Sequence, residues 1–242
     1  MAIRATALVP DEWYHCFTRG VDKRIIYSDR SDYERYLMLL FTCNNTEPLH
    51  LSNLGARYQP PALEDVLNKK RGAQLVDIGA YCLMQNHPHL LLRELVPGGI
   101  SLFMQKVGTG YTMYFNKKYV RTGALFSSRF KALHIDTDQY LQRIVNYIHA
   151  NPAELYESRW KEGVIINSAR LKQNLMEYQY SSLPDYEGVA RPHTAIINKE
   201  AILELLTNAP SFETLLDDAK TYYREMEVDL SPRSGLASRV AA

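Results

Sequence analysis

An α+β fold, with a largely antiparallel sheet sandwiched by helices, is the fold class that the sequence predicts. Short runs of strand character alternate with stretches of helical periodicity along the whole chain. Two of those runs, 74–84 and 87–92, are separated only by Gln85-Asn86, a connection short enough for neighbouring antiparallel strands and too short for a parallel crossover. At 242 residues, 46% hydrophobic and 23% charged, the chain can bury one good-sized core and still carry an appendage.

Taken in order, Trp13-Tyr14-His15-Cys16-Phe17-Thr18 is aromatic-rich and strand-like, and Arg19-Gly20 ends it. Ser31 or Asp32 is expected to cap a helix reaching Leu40 and Phe41, in which Tyr33, Tyr36, Leu37 and Leu40 share a face. A polar stretch over 44–70 has room for a short helix at 62–68. The strands 74–84 and 87–92 follow. Pro97-Gly98-Gly99 breaks the chain, and Ser101 can cap a helix running toward Tyr119, a reading weakened by Gly108 and Gly110. After the Arg121-Thr122-Gly123 turn, 124–135 alternates as a strand should. Asp136 or Thr137 then caps a helix to about Ala150, where Pro152 stops it. Further helices are expected at 168–178, 199–207 and 211–226, and the Ser, Gly, Arg and Ala-rich last ten residues should fray.

Composition excludes several classes. No apolar run approaches the roughly 20 residues that a bilayer-spanning helix needs, and Met1-Ala2-Ile3-Arg4 does not open a signal peptide. A cytoplasmic location without a membrane partner is expected. Cys16, Cys43 and Cys82 lack paired spacing, and an odd count argues against a disulfide framework, so free thiols are expected, two of them buried on strands.

The net charge of +1 hides an uneven distribution. Between Gln105 and Ile135 the charged residues are Lys106, Lys117, Lys118, Arg121, Arg129 and Lys131, with no acidic residue among them. From Asp185 onward, 10 acidic residues face 6 basic ones, leaving the tail at −4 and the remainder at +5. Such a belt fits a polyanion partner or a merely solvated surface. Interleaved Tyr111, Tyr114, Phe115, Tyr119, Phe126 and Phe130 favour the former, because bases stack on rings while cations meet phosphates.

Two short motifs carry chemistry. In Asn86-His87-Pro88-His89 the histidines alternate, so on a strand both project from one face and can aim two imidazoles at one divalent ion. In Tyr147-Ile148-His149-Ala150-Asn151-Pro152, Tyr147 and Asn151 are four apart and so lie one turn above the other, a hydroxyl nucleophile beside an amide oxygen. With 17 tyrosines in the chain, spacing alone leaves Tyr147 open to a packing role beside Tyr140, Ile144 and Ile148.

Together with Arg19-Gly20-Val21-Asp22-Lys23-Arg24, Tyr114-Phe115-Asn116, Gly123-Ala124-Leu125-Phe126, Arg129-Phe130, Trp160 and Tyr180-Ser181-Ser182, these motifs resemble the single-tyrosine HUH transposases. Within that group the sequence is most similar to the REP-associated tyrosine transposases, which have an IS200-like transposase domain. The resemblance covers roughly 10–187, which implies a transposase domain over 1–187 and an acidic, mostly helical extension over 188–242. It implies a ferredoxin-like HUH nuclease fold, with His87, His89 and Asn151 binding Mg²⁺ or Mn²⁺ and Tyr147 as nucleophile. It further implies cleavage and rejoining of hairpin-bearing single-stranded DNA from palindromic repeats, and a possible homodimer. Arg19 and Arg24, with the six belt cations, become candidates for phosphate contacts, which position a substrate without specifying its sequence. Pro88 departs from the bulky residue usual between the histidines and removes a backbone donor, pointing to a locally open strand position.

Two other readings stay open on sequence. One is a domesticated DNA- or RNA-binding protein that no longer cuts; the other is a metal-dependent phosphoesterase without a covalent step. A His-x-His-x-His hydrolase pattern would need its third histidine at Leu91.

Overall fold

The computed structural model describes residues 8–47, 49, 51, 61–206 and 212–230, with side chains through 224. Its sheet comprises β1 (Trp13–Phe17), β2 (Val76–Met84), β3 (His87–Glu94) and β4 (Lys131–Ile135), all antiparallel in the order β2-β3-β1-β4. The expected α+β class and the adjacent pairing of the two central runs are both present.

Helices cover both faces. On one side lie α1 (Arg30–Thr42), α2 (Leu63–Leu67) and α3 (Gly99–Lys118). There Tyr14 and Cys16 of β1 and Leu90 and Leu92 of β3 pack with Tyr36, Leu37, Leu40, Phe103 and Tyr111. On the other side lie α4 (Asp138–Ala150), α5 (Ala153–Tyr156), α6 (Ser168–Glu177), α7 (Leu183–Tyr186), α8 (Glu200–Leu203) and α9 (Phe212–Leu230). Trp13, Ala80, Cys82 and Leu91 meet Ile144, Ile148, Leu171, Ile202, Leu216 and Tyr222 there. The period-2 alternation of each strand thus divides its side chains between two cores. Cys16 and Cys82 are buried on strands and, with Cys43, are free thiols as expected.

Several element ends differ from expectation for identifiable reasons. The cap of α1 is Asp29, which accepts from the Asp32 amide while Asp32 accepts from the Asp29 amide, a reciprocal box that moves the start ahead of Ser31. Helix α3 starts before Ser101 because the Glu94 carboxylate, at the end of β3, accepts from the Gly98 and Ile100 amides. Gly110 lets α3 approach α1, since a Cβ there would stand 3.1 Å from Leu39. The strand expected over 124–135 is confined to β4. Before it the chain bonds instead to the segment after β1, through Val21 N to Leu125 O and Ser127 N to Arg19 O, each 2.9 Å.

The helix expected over 199–207 shortens to α8, where Ile202 is the buried anchor. It packs so closely on the sheet that a Cβ at Gly79, the site of a register shift in β2, would lie 2.8 Å from Ile202. Thr137 caps α4 by accepting from the Tyr140 amide. Residue 207, residue 211 and the last ten residues lie outside the described residues. Among those described, no helix is long and apolar enough to cross a membrane.

Candidate active site

The hairpin between β2 and β3 and the C-terminal turn of α4 meet at one end of the sheet. His87 and His89 project from the same face of β3 with ring centroids 4.7 Å apart. Pro88 pairs with Leu83 of β2, while the β1 register stops at Phe17 opposite His89. The proline therefore sits past the end of β1, the open position its missing donor calls for. From α4, the Tyr147 ring stands edge-on to His89 at 5.3 Å. Asn151 caps the helix, its side-chain amide donating to the Tyr147 carbonyl at 2.8 Å. All four residues line a cleft of about 590 Å³.

Burial sets the charge state of these groups. The His87 imidazole is pushed down to about 3, with Arg19 and Lys161 adding to the effect. His89 is lowered further, again mainly by burial and then by His87, His15, Arg19 and Lys161. Both rings are neutral at physiological pH, the form in which imidazole binds metal. Burial also raises Tyr147 well above the usual phenol value, opposed by a hydrogen bond to Asn151. Tyr147 at rest is consequently a phenol, not a phenolate.

The donor set fits a divalent cation. His89 Nε2 is buried and has no hydrogen-bond partner, an orphan atom that a ligand would satisfy. Among the described residues no three His, Cys, Asp or Glu side chains gather as a metal group. Two imidazoles plus the Asn151 amide would leave most coordination positions to water and substrate, as a catalytic rather than a structural site requires.

Sequence reasoning missed what stands behind and around these residues. His15 of β1 lies behind His89, its Nε2 2.9 Å from His89 Nδ1, and its own Nδ1 is 2.8 Å from the Tyr222 hydroxyl of α9. The aromatic run of β1 concealed His15 as one more strand residue. Its partners are 74 and 207 positions away, so no local spacing signals them. Lys161 and Glu154 also line the cleft, paired at 2.9 Å, with the Lys161 ammonium 3.9 Å above the Tyr223 ring.

The eight cations proposed for DNA separate by position. Arg19 and Lys131 line the cleft. Lys106 donates to the Asn45 carbonyl at 2.8 Å, and Lys118 is held by Asp29 and Asp32, each 2.7 Å away. Arg121 binds Asn116 and the Ala124 carbonyl. Arg24 donates to the Val21 carbonyl and stands 3.9 Å from Asp22. Lys117 and Arg129 are exposed and outside the cleft lining.

Residues 56–151 match the family model of IS200-like transposases. The matched span contains β2, β3, α3, β4 and α4, and with them His87, His89, Tyr147 and Asn151. It ends before α9 and begins after His15. A solved structure described as "Structure of the REP associates tyrosine transposase bound to a REP hairpin" is similar to 80% of this chain and 90% of that chain, at 11% identity and a TM-score of 0.48. No curated protein matches the chain.

Proposed function

We propose that the protein cleaves and rejoins hairpin-bearing single-stranded DNA by transfer to Tyr147, with Mg²⁺ or Mn²⁺ held by His87, His89 and Asn151. The observation that carries this reading is the convergence of a tyrosine, two neutral imidazoles and an amide on one cleft whose lining also includes Arg19, Lys131 and Lys161. Those cations suit a phosphodiester backbone.

In the forward step the Tyr147 oxygen attacks phosphorus. An oxygen–phosphorus bond forms, the bond to the 3′-oxygen breaks, and the products are a 5′-phosphotyrosine and a free 3′-OH. The phenol proton leaves as the bond forms, and the departing 3′-oxygen takes one up. A divalent cation, when bound, would polarise a non-bridging phosphate oxygen and stabilise the leaving 3′-oxygen. Attack by a 3′-OH on the phosphotyrosine reverses the chemistry and joins strands, because the linkage conserves the energy of the broken bond. Asn151, one turn after Tyr147, ties the helix end to the metal side of the cleft, so nucleophile and ligand move as a unit.

The test is incubation of wild type and Tyr147→Phe with labelled hairpin DNA, taken from palindromic repeats flanking the gene, in the presence of Mn²⁺. Wild type should give a denaturation-resistant protein–DNA adduct. The variant should lose it by a factor on the order of 10⁴ or more, as removal of an activated nucleophile does. No adduct from wild type, or equal adduct from the variant, would sink the assignment. Cleavage without an adduct would point instead to a phosphoesterase.

A further inference from the structure

We propose that His15 and Tyr222 are positioning residues that hold His89 in the Nδ1–H tautomer, directing its Nε2 lone pair at the cation. The inference rests on the metal-dependent reading above and adds two residues that lie outside the matched transposase span. Three groups form a continuous buried line, with Tyr222 Oη 2.8 Å from His15 Nδ1 and His15 Nε2 2.9 Å from His89 Nδ1. His15 and Tyr222 are both fully buried.

A neutral imidazole has one donor and one acceptor, so protonation along this line is ordered and can run in two directions. If Tyr222 donates to His15, then His15 donates to His89, and the His89 proton must sit on Nε2. That N–H would be buried without an acceptor among the described residues, a costly orphan donor, and could not ligate a metal. If His89 donates from Nδ1 to His15 and His15 donates to the Tyr222 oxygen, Nε2 carries the lone pair. Only this direction keeps the proton off the buried, partnerless Nε2 of His89. A metal-ligating histidine is commonly oriented by such a partner on its second nitrogen. Here the terminal acceptor is supplied by α9, so the C-terminal helix contributes to a site that lies well upstream of it in sequence.

Nitrogen-15 histidine NMR on the full metal-free chain reads the tautomer directly, and Mn²⁺ titration followed by electron paramagnetic resonance reads the consequence. Wild-type His89 should be Nδ1–H. Tyr222→Phe keeps the ring that packs 4.7 Å from Tyr147 and removes only the hydroxyl. It should give a mixed His89 tautomer and about tenfold weaker Mn²⁺ binding. His15→Phe should act likewise, whereas His15→Gln, whose amide oxygen replaces the Nε2 acceptor, should retain the tautomer. A purely structural role would lower thermal stability and leave the tautomer unmoved. An Nε2–H His89 in wild type, or an unchanged tautomer or unchanged Mn²⁺ affinity in Tyr222→Phe, overturns the inference. Wild type that binds no Mn²⁺ and forms no adduct defeats the underlying metal-dependent reading instead, because the tautomer is read without metal.

Discussion

On one face of the sheet β1 offers Tyr14 and Cys16, and β3 offers Leu90 and Leu92, to α1 and α3; on the other, His15, His89 and Leu91 meet α4 and α9, with His87 beside His89. Both faces bury tyrosines, and burial raises Tyr27, Tyr36 and Tyr111 on the first face just as it raises Tyr147 on the second. A buried phenol with a raised pKa therefore does not mark a nucleophile. What distinguishes Tyr147 is its surroundings. Tyr111 donates its hydroxyl to the Ile26 carbonyl and packs among other rings, whereas Tyr147 lines an open cleft beside an imidazole nitrogen that has no partner. One face spends its aromatic residues on cohesion, and the other leaves polar valences unfilled where a substrate can reach them.

The largest effect that separates the faces is Phe103→Ala. Phe103 is fully buried in the α1–α3 core, and its truncation should cost about 3–5 kcal/mol of stability. Urea unfolding measures that loss. Adduct formation per folded molecule should stay at the wild-type level, and a parallel fall in specific activity would show that the two faces are coupled.

Charge sharpens the same contrast at a smaller scale. Lys131 lines the cleft, whereas Lys106 binds the Asn45 carbonyl on the α1–α3 side. Lys131→Ala should weaken hairpin binding and lower the slope of log affinity against log salt by about 1. Lys106→Ala should leave that slope unchanged. Fluorescence anisotropy across a salt series distinguishes them, and equal slopes for both variants would remove the cleft from the binding surface.

How far the sequence disclosed this arrangement depends on the range of each interaction. His87 and His89 were legible because strand alternation is local, and Tyr147 with Asn151 because a helix turn is local too. The α9 segment was legible as a helix from its own periodicity, yet its contribution to the site was not. That depends on a tertiary contact between Tyr222 and His15 across most of the chain. The partners of the belt cations were hidden for a related reason. Lys106 and Lys118 belong to one acid-free stretch of the sequence, but the fold directs them to a carbonyl and two carboxylates of its own. The overlong strand at 124–135 failed because alternation there reflects Leu125 turning inward where the chain crosses the segment after β1.

The smallest expected effect concerns an imidazole on the aromatic side. His193 lies in a turn packed against α1 and α2, with its Nδ1 buried and unpartnered. Burial pushes it from 6.5 to about 4, Arg191 adds to the shift, and Asp185 and Glu34 oppose it. The unfolded chain thus binds the proton more readily than the folded one. Stability from this group is complete above pH 6.5, declines as the pH falls toward about 4, and is fully lost below that. His193→Gln should therefore show a smaller difference in urea midpoint between pH 7 and pH 4.5 than wild type. Because His193 is remote from the cleft lining, adduct formation at pH 7 should not change with it. An identical midpoint difference in the two proteins would mean that acid sensitivity belongs to other groups, among them the histidines His15, His87, His89 and His149, whose pKa values are also lowered, and that His193 contributes none.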